Sequence, residues 1–555
     1  MSVPTLYSVG RLPYLAEFAA RLESNLGWKP AYWITQPDLR GAVAALFPDT
    51  ILHDFTDANR GLNDPVDRTR LAPSDPDLMT RDGLLVRQGL EIVARHVLGN
   101  AMTASQQACF FFDRLDYALG VTQALDLQVF VLNSTPHSVM EFCFYAAFRL
   151  LGRKVRMLSL TGFQGRQVIL SAPDDAPLGL DRLAGLTSED LSDTGRAELQ
   201  RLLDRNQDHT PWYIQRKRER ERVHANLNDV ADALIDEGRY PPGMVDFDRP
   251  ASIAIGIAGK PPTRWIDRLK FGQRGEKQEQ FVDAFDRKHP SKHDQPLTRA
   301  FAYRSTGHAA PPITWKQYYT YRDWVLLTKR RWRRHYEQLA SGFDLRDSTA
   351  SPYVYFALHY QPERSTCPDG GAYTDQILAL RTIVQALPQG WRLLVKEHPS
   401  QFLWQTEGEL GRWDGYYEQI LALGPVELVP LAASSEQLIR TAKVVVTITG
   451  TVGWEACLGG TPAITLARPW YAAPGLVLFA RNSRQLRDAF AQVQAGWRPD
   501  PDAIAAHLAR IERLGRACYL NPSQASHYEG LSDEDNLARL VDLFVSSERL
   551  AEGST

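Results

Sequence analysis

The chain has 555 residues, more than a single hydrophobic core usually organises, so two domains with additional helices are expected. Its 63 Lys and Arg against 65 Asp and Glu leave a formal charge of -2, which excludes the global basic field of a non-specific nucleic-acid binder. Five widely separated cysteines without CxxC spacing argue against a disulfide framework or a structural zinc site and fit a reducing cytoplasm.

In chain order, Thr5 to Val9 reads as a short strand, Pro13 to Leu26 as an amphipathic helix and Pro30 to Thr35 as a second strand, the pattern of a βαβ unit. Leu84 to His96 predicts a helix and Gln107 to Phe112 a buried strand. Leu127 to Leu132 and Val155 to Leu160 predict two further strands around the helix Ser138 to Leu151. Residues 1–175 are therefore read as an N-terminal Rossmann-like domain. Parallel sheets of this kind bind ligands at strand C-terminal ends. Two loops stand there, Asn133-Ser-Thr-Pro-His137-Ser and Thr161-Gly-Phe-Gln-Gly165.

Across residues 176–349 the periodicity weakens, and the segment reads as a mainly helical insertion and connector. Its charge clusters, Gln215 to Arg222 and Lys329 to His335, read first as solvated faces of long helices. A basic face toward an anionic acceptor or the inner membrane surface is the alternative. Lys260 to Gln295, rich in charge and poor in aliphatics, reads as a mobile loop.

Regular alternation resumes over residues 350–500, which predict a second Rossmann-like domain. Strands are expected at Tyr353 to Leu358, Arg392 to Lys396, Val426 to Val429, Val444 to Thr447 and Ala463 to Leu466. Helices are expected at Asp375 to Ala386, Ser434 to Thr441 and Thr451 to Leu458. Residues 501–555 read as helices that close the domain and cross back to the first one. The N-terminus lacks a basic region followed by an apolar stretch, and no apolar run reaches the roughly 18 residues of a membrane span, so a cytoplasmic protein is expected.

Three groups at strand ends of the second domain carry chemistry. His359-Tyr-Gln361-Pro-Glu363-Arg364-Ser365-Thr366-Cys-Pro-Asp369-Gly-Gly371 follows a buried strand, and Glu363 lies where a nucleophile or base could reach a sugar. A helix-capping or salt-bridged surface glutamate is the plainer alternative. In Lys396-Glu-His398-Pro399-Ser, Pro399 fixes a turn that presents the His398 imidazole to a phosphate, and Lys396 supplies charge. In Thr447-Ile-Thr449-Gly450-Thr451-Val-Gly-Trp-Glu455, amides and hydroxyls at a helix N-terminus form an anion site, and Glu455 suits ribose hydroxyls. Neither turn matches a phosphate-binding loop or a GxGxxG fingerprint.

The HPS turn, TGTVGWEACLGGTPAIT and RPWYAAPG resemble the donor half of bacterial capsule-synthesis glycosyltransferases that use CMP-Kdo. The likeness covers about Tyr353 to Gly475, with a weaker echo in VFVLNSTPHSVMEFCFYAAFRLLGRKVRML. The resemblance implies a GT-B fold, two Rossmann-like domains facing a cleft, and transfer of a 2-keto-3-deoxy sugar acid from CMP to a glycan or glycolipid without a metal or other cofactor. It implies His398 and Pro399 at the CMP phosphate, Thr449, Gly450 and Thr451 in the hydroxyl-rich turn, and Glu455 at the ribose. In the retaining branch it implies a carboxylate nucleophile in the first loop of the C-terminal domain, a place that Glu363 best occupies here; His137, or Glu141 one helical turn later, could serve as base from the opposite wall. Gln361, Arg364 and Ser365 are expected beside the donor, the last two at its carboxylate. Peripheral contact with the inner membrane face is expected if the acceptor is lipid-linked. A UDP-sugar transferase, an epimerase or a non-catalytic glycan-assembly component remain alternatives on the same architecture.

Overall fold

The computed structural model describes residues 2–73, 75–95, 102–204, 328–344, 351–403, 408–520, 524–525, 528 and 530–553. The Gln215 to Arg222 cluster and the segment Lys260 to Gln295 lie outside the described residues.

The first half builds six strands, β1 (Val3–Ser8), β2 (Trp28–Thr35), β3 (Ile51–Asp54), β4 (Val129–Leu132), β5 (Lys154–Leu160) and β6 (Arg166–Leu170). They lie in the order β3-β2-β1-β4-β5-β6, parallel except for β6, which pairs antiparallel with β5. That hairpin turns through Gln164 and Gly165, both at positive φ. The second half builds β7 (Tyr353–Ala357), β8 (Arg392–Lys396), β9 (Val426–Val429), β10 (Val444–Thr447), β11 (Ala463–Thr465) and β12 (Leu478–Phe479). These six are all parallel, in the order β9-β8-β7-β10-β11-β12, the doubly wound order of a Rossmann sheet. Every residue of β10 and all but the last of β7 is buried, as strands covered by helices on both faces must be. Two Rossmann-like halves make this a GT-B fold.

The last segment returns to the first sheet. β13 (Arg516–Ala517) adds antiparallel to β6, and the helix Asp533–Glu552 lays Leu540, Leu543 and Phe544 against the helix Leu15–Leu26 and Trp28. Glu548 of that helix is buried and paired with Arg156 and with Lys154 at 2.8 Å. A tail that crosses back was legible in the sequence; its strand was not.

One expectation fails. Gln107 to Phe112 is not a strand but part of the helix Ala104–Ala124, started by a capping box between Thr103 and Gln106. The run Cys109-Phe-Phe-Phe112 resembles a strand in a short window. Over the whole helix Phe110, Phe111, Arg114, Leu115, Tyr117 and Ala118 are buried at helical spacing. It packs so closely on the helix Gly83–Arg95 that a Cβ on Gly89 would stand 2.0 Å from the Phe111 ring.

The second charge cluster, Lys329 to His335, sits on a helix spanning 328–339 that packs on the second sheet. Lys329 is buried and donates to the Leu403 carbonyl at 2.8 Å. Arg331 and Trp332 bind Asp414, and His335 meets Glu418. Those members of the cluster face the second half of the molecule. Among the described residues no helix is long and apolar enough to cross a membrane.

Candidate active site

In each sheet the strand order reverses at one point, between β1 and β4 in the first and between β7 and β10 in the second. Loops leaving the sheet there diverge and open a crevice for ligands. Ser8 pairs with Leu132, so the chain leaves β1 and β4 at one level, and the loop after β4 carries Thr135 and His137. The loops after β7 and β10 carry Glu363 to Gly371 and Thr449 to Thr451.

Below the second crevice lies a buried polar frame. Arg412 and Glu397 form a fully buried ion pair, with Nε to Oε2 at 2.7 Å and Nη2 to Oε1 at 2.9 Å. Tyr417 donates its hydroxyl to Glu397 at 2.9 Å, and Arg412 donates onward to Gln361 Oε1 at 3.0 Å and to the His359 carbonyl at 3.2 Å. Gln361 donates to the Thr374 carbonyl at 2.6 Å and accepts from Gln376 at 2.8 Å. Its amide braces the loop after β7. Lys396 is buried and donates to the Ala433 carbonyl at 2.6 Å and to Ser435 at 3.0 Å.

His359, buried beneath the turn after β10, accepts from the Thr449 amide at 3.3 Å. Burial pushes its imidazole down to about 4, with Gln376 opposing and Arg412 adding to the shift, so it is neutral near pH 7. Gly450 approaches so closely that a Cβ there would lie 2.8 Å from Thr447 Oγ1 and 3.2 Å from His359 Nε2. The Thr449 hydroxyl donates to the Ser365 carbonyl at 2.6 Å, tying this turn to the loop after β7. Thr451, exposed at the first turn of the helix Thr451–Leu458, donates to Glu455 at 3.2 Å. His398 accepts from the Ser400 amide at 3.1 Å, its ring tilted 6.3 Å from Tyr360, and Pro399 opens the turn Pro399–Phe402.

The two crevices meet. Arg95, at the end of the helix Gly83–Arg95, donates to the Cys367 carbonyl at 2.7 Å and to the His137 carbonyl at 3.0 Å, joining the loop after β7 to the loop after β4. Gln88 of the same helix donates to the Pro368 carbonyl at 2.9 Å. Thr161-Gly162 touches the second half too, since a Cβ on Gly162 would lie 2.9 Å from the Trp470 ring.

Charges crowd this junction. Burial pushes the His137 imidazole below its ordinary value; Arg364 and Arg95 push the same way, against Glu141 and the Thr135 carbonyl. Its Nδ1 lies 3.0 Å from that carbonyl, which places the proton on Nδ1 and leaves Nε2 as the acceptor. Glu141 is buried and accepts from Ser8 at 2.7 Å and Ser138 at 2.6 Å, one hydroxyl on each oxygen. Its charge opposes the downward shift of the His137 imidazole. Glu363 and Arg364 are exposed, and Arg364 lies 3.6 Å from Asp369. Burial pushes the Asp369 carboxyl up to about 6, and Glu363 adds to this while Arg364, Thr135 and Arg95 oppose it. Thr135 Oγ1 and Asp369 Oδ1 are nonetheless both buried short of hydrogen-bond geometry.

The structure thus brings Glu363, Arg364, Ser365 and His137 to one junction and keeps His398, Thr449, Gly450, Thr451 and Glu455 at the mouths of neighbouring loops. Sequence reasoning missed Arg95, Thr135, Arg412 and any role for Asp369. Only Asp369, before two glycines at a strand end, left a local signal. Among the described residues no group of three or more His, Cys, Asp or Glu is arranged to hold a metal ion.

Residues 327–494 match the family described as capsule polysaccharide biosynthesis protein, a span that holds all of β7 to β12 and their loops. No curated protein matches the chain. Among solved structures, Thermosulfurimonas dismutans KpsC, described as a beta Kdo 2,7 transferase, is 16% identical over 34% of this chain and 57% of its own, with a TM-score of 0.21. Its beta Kdo 2,4 transferase counterpart is 14% identical over 39% of this chain and 63% of its own, also at 0.21. The Neisseria meningitidis UDP-GlcNAc 2-epimerase bound to UDP-GlcNAc is 9% identical over 99% of both chains, at 0.20. The chain thus spans less than two thirds of the KpsC chains it matches. These superpositions are too loose to transfer a residue or an activity.

Proposed function

We propose that this chain is a glycosyltransferase of capsule polysaccharide biosynthesis, moving a 2-keto-3-deoxy sugar acid from its CMP ester to a surface glycan or glycolipid with retention. The observation that carries the reading is the family match over residues 327–494, the part of the chain whose loops form the second crevice.

In this reading the nucleotide lies over the turn after β10. Its phosphate meets the N-terminus of the helix Thr451–Leu458 and the His398 imidazole, where fixed dipoles offset negative charge. Glu455, exposed one turn on, takes the ribose hydroxyls. Arg364 and Ser365 meet the sugar carboxylate. Glu363 attacks the anomeric carbon, forming a glycosyl ester as the bond to the phosphate oxygen breaks and CMP leaves. The acceptor hydroxyl then attacks that carbon from the freed face. Its proton passes to His137 Nε2, and the ester bond breaks to restore the Glu363 carboxylate. A neutral His137 with its proton on Nδ1 supports this step.

A thermal-shift panel of CMP, CDP, UDP, GDP and ADP tests the donor. CMP is expected to stabilise selectively, by about 2.7 kcal/mol at about 100 times its dissociation constant. Glu363→Gln should keep that shift and lose transfer from CMP-Kdo. Stabilisation by UDP alone would remove the ulosonate reading.

A further inference from the structure

The helix Gly83–Arg95 belongs to the first half of the chain, yet its polar face grips the loop after β7 in the second. Gln88 and Arg95 are seven residues apart, two helical turns, and so share one face. Gln88 is buried, donates to the Pro368 carbonyl at 2.9 Å, and accepts at its own carbonyl from the Cys367 thiol. Arg95 spans two carbonyls from opposite walls, Cys367 at 2.7 Å and His137 at 3.0 Å. The planar fork of a guanidinium can hold both acceptors at once, which the single ammonium of a lysine holds less well.

We propose that Arg95 is the cross-domain positioning residue of this site, fixing the loop of Glu363 and Asp369 against His137 so that nucleophile and base converge on one sugar carbon. The catalytic part of this statement rests on the transferase reading above; the clamp itself rests on the two carbonyl contacts. Arg95 need not touch substrate. Its charge acts at the same junction: Asp369 and Glu363 both feel it, and it disfavours protonation of His137. The titratable and charged groups facing His137 are Glu141 in the first turn of the helix Val139–Leu150 that follows its loop, Arg95 from the helix Gly83–Arg95, and Arg364 from the loop after β7.

The test uses the full-length protein with Arg95→Lys, Arg95→Met and Gln88→Met. Transfer kinetics, the CMP-induced thermal shift and titration of His137 by NMR are measured on each. Misplacing reacting groups by about 1 Å costs on the order of 100-fold in rate. Both Arg95 variants are therefore expected to lose kcat on that order, with KM for the donor within about threefold and the CMP shift retained, because the nucleotide crevice lies after β10. Gln88→Met should lose less, since the Arg95 bridge remains. His137 should titrate at higher pH in Arg95→Met, where the charge is gone, and close to wild type in Arg95→Lys. A purely structural contact would lower melting temperature without moving the His137 titration. Unchanged kcat in both Arg95 variants, or an unmoved His137 titration in Arg95→Met, overturns the proposal. If the wild-type protein transfers no sugar, the transferase reading fails, and the His137 titration still decides whether Arg95 acts on that side chain.

Discussion

At the scale of single residues, the cross-domain junction is set by what burial does to charge. Asp369 has one side-chain oxygen closed off without a partner, and its side chain is only 20% exposed. Its carboxyl therefore holds its proton up to about 6. A folded-state pKa above the unfolded one gives stability that is fully present below the unfolded value of 3.8 and is lost as pH rises to about 6. The loss is about 3 kcal/mol at most, at 1.36 kcal/mol per unit. Asp369→Asn should therefore melt higher than wild type at pH 7.5, with the gap shrinking toward pH 5, as followed by calorimetry. An equal gap at both values would show that Asp369 ionises normally. Glu363 stands exposed in the same loop.

At the scale of elements, loops that look free in sequence are held by side chains spent on one another. Gln361, Gln376, Arg412 and Glu397 link the loop after β7 to the loop after β8, and Thr449 links it to the turn after β10. Such a frame fixes loop geometry without contacting a ligand. Removing one partner of a buried pair strands the other charge, at a cost of about 3–5 kcal/mol. Arg412→Met is thus expected to lower the unfolding free energy measured by denaturant titration by that amount and to abolish nucleotide-induced stabilisation, whereas Arg331→Met, at an exposed pair with Asp414, should change it little. The sequence reading found five of the six strands of this half to within a residue or two, because each is a short β-branched or aromatic run bounded by turn residues, and it missed the two-residue edge strand β12. It missed the frame because Arg412 lies far from Gln361 and Glu397 in sequence, in a stretch without periodic pattern.

At the scale of the whole molecule, the C-terminal segment belongs physically to the first half. β13 extends the first sheet, and Phe544 packs on Phe18 with ring centroids 5.5 Å apart. Glu548 balances Arg156 and Lys154 at the heart of that contact. Glu548→Ala leaves Arg156, which is 8% exposed, without its carboxylate. It should lower the unfolding transition of the first half by several degrees in calorimetry while leaving the CMP-induced shift of the second half intact. Loss of both together would mean that the halves unfold as one unit.

The sequence alone determined the two parallel α/β halves, the return of the C-terminal helices and the three loops that carry polar chemistry at strand ends. Those features are written in consecutive residues, as hydrophobic period and turn chemistry. The tertiary structure showed that Cys109 to Phe112 lies in a helix, with Phe110 and Phe111 buried and the helix Gly83–Arg95 packed against Phe111. It alone showed that Gln361 bonds the Thr374 carbonyl, Lys396 the Ala433 carbonyl and Glu141 the Ser8 hydroxyl. It alone brought Arg95 and Thr135 against the loop of Glu363 and Asp369. Contacts between residues hundreds of positions apart depend on how the two sheets face each other, and no local pattern encodes that.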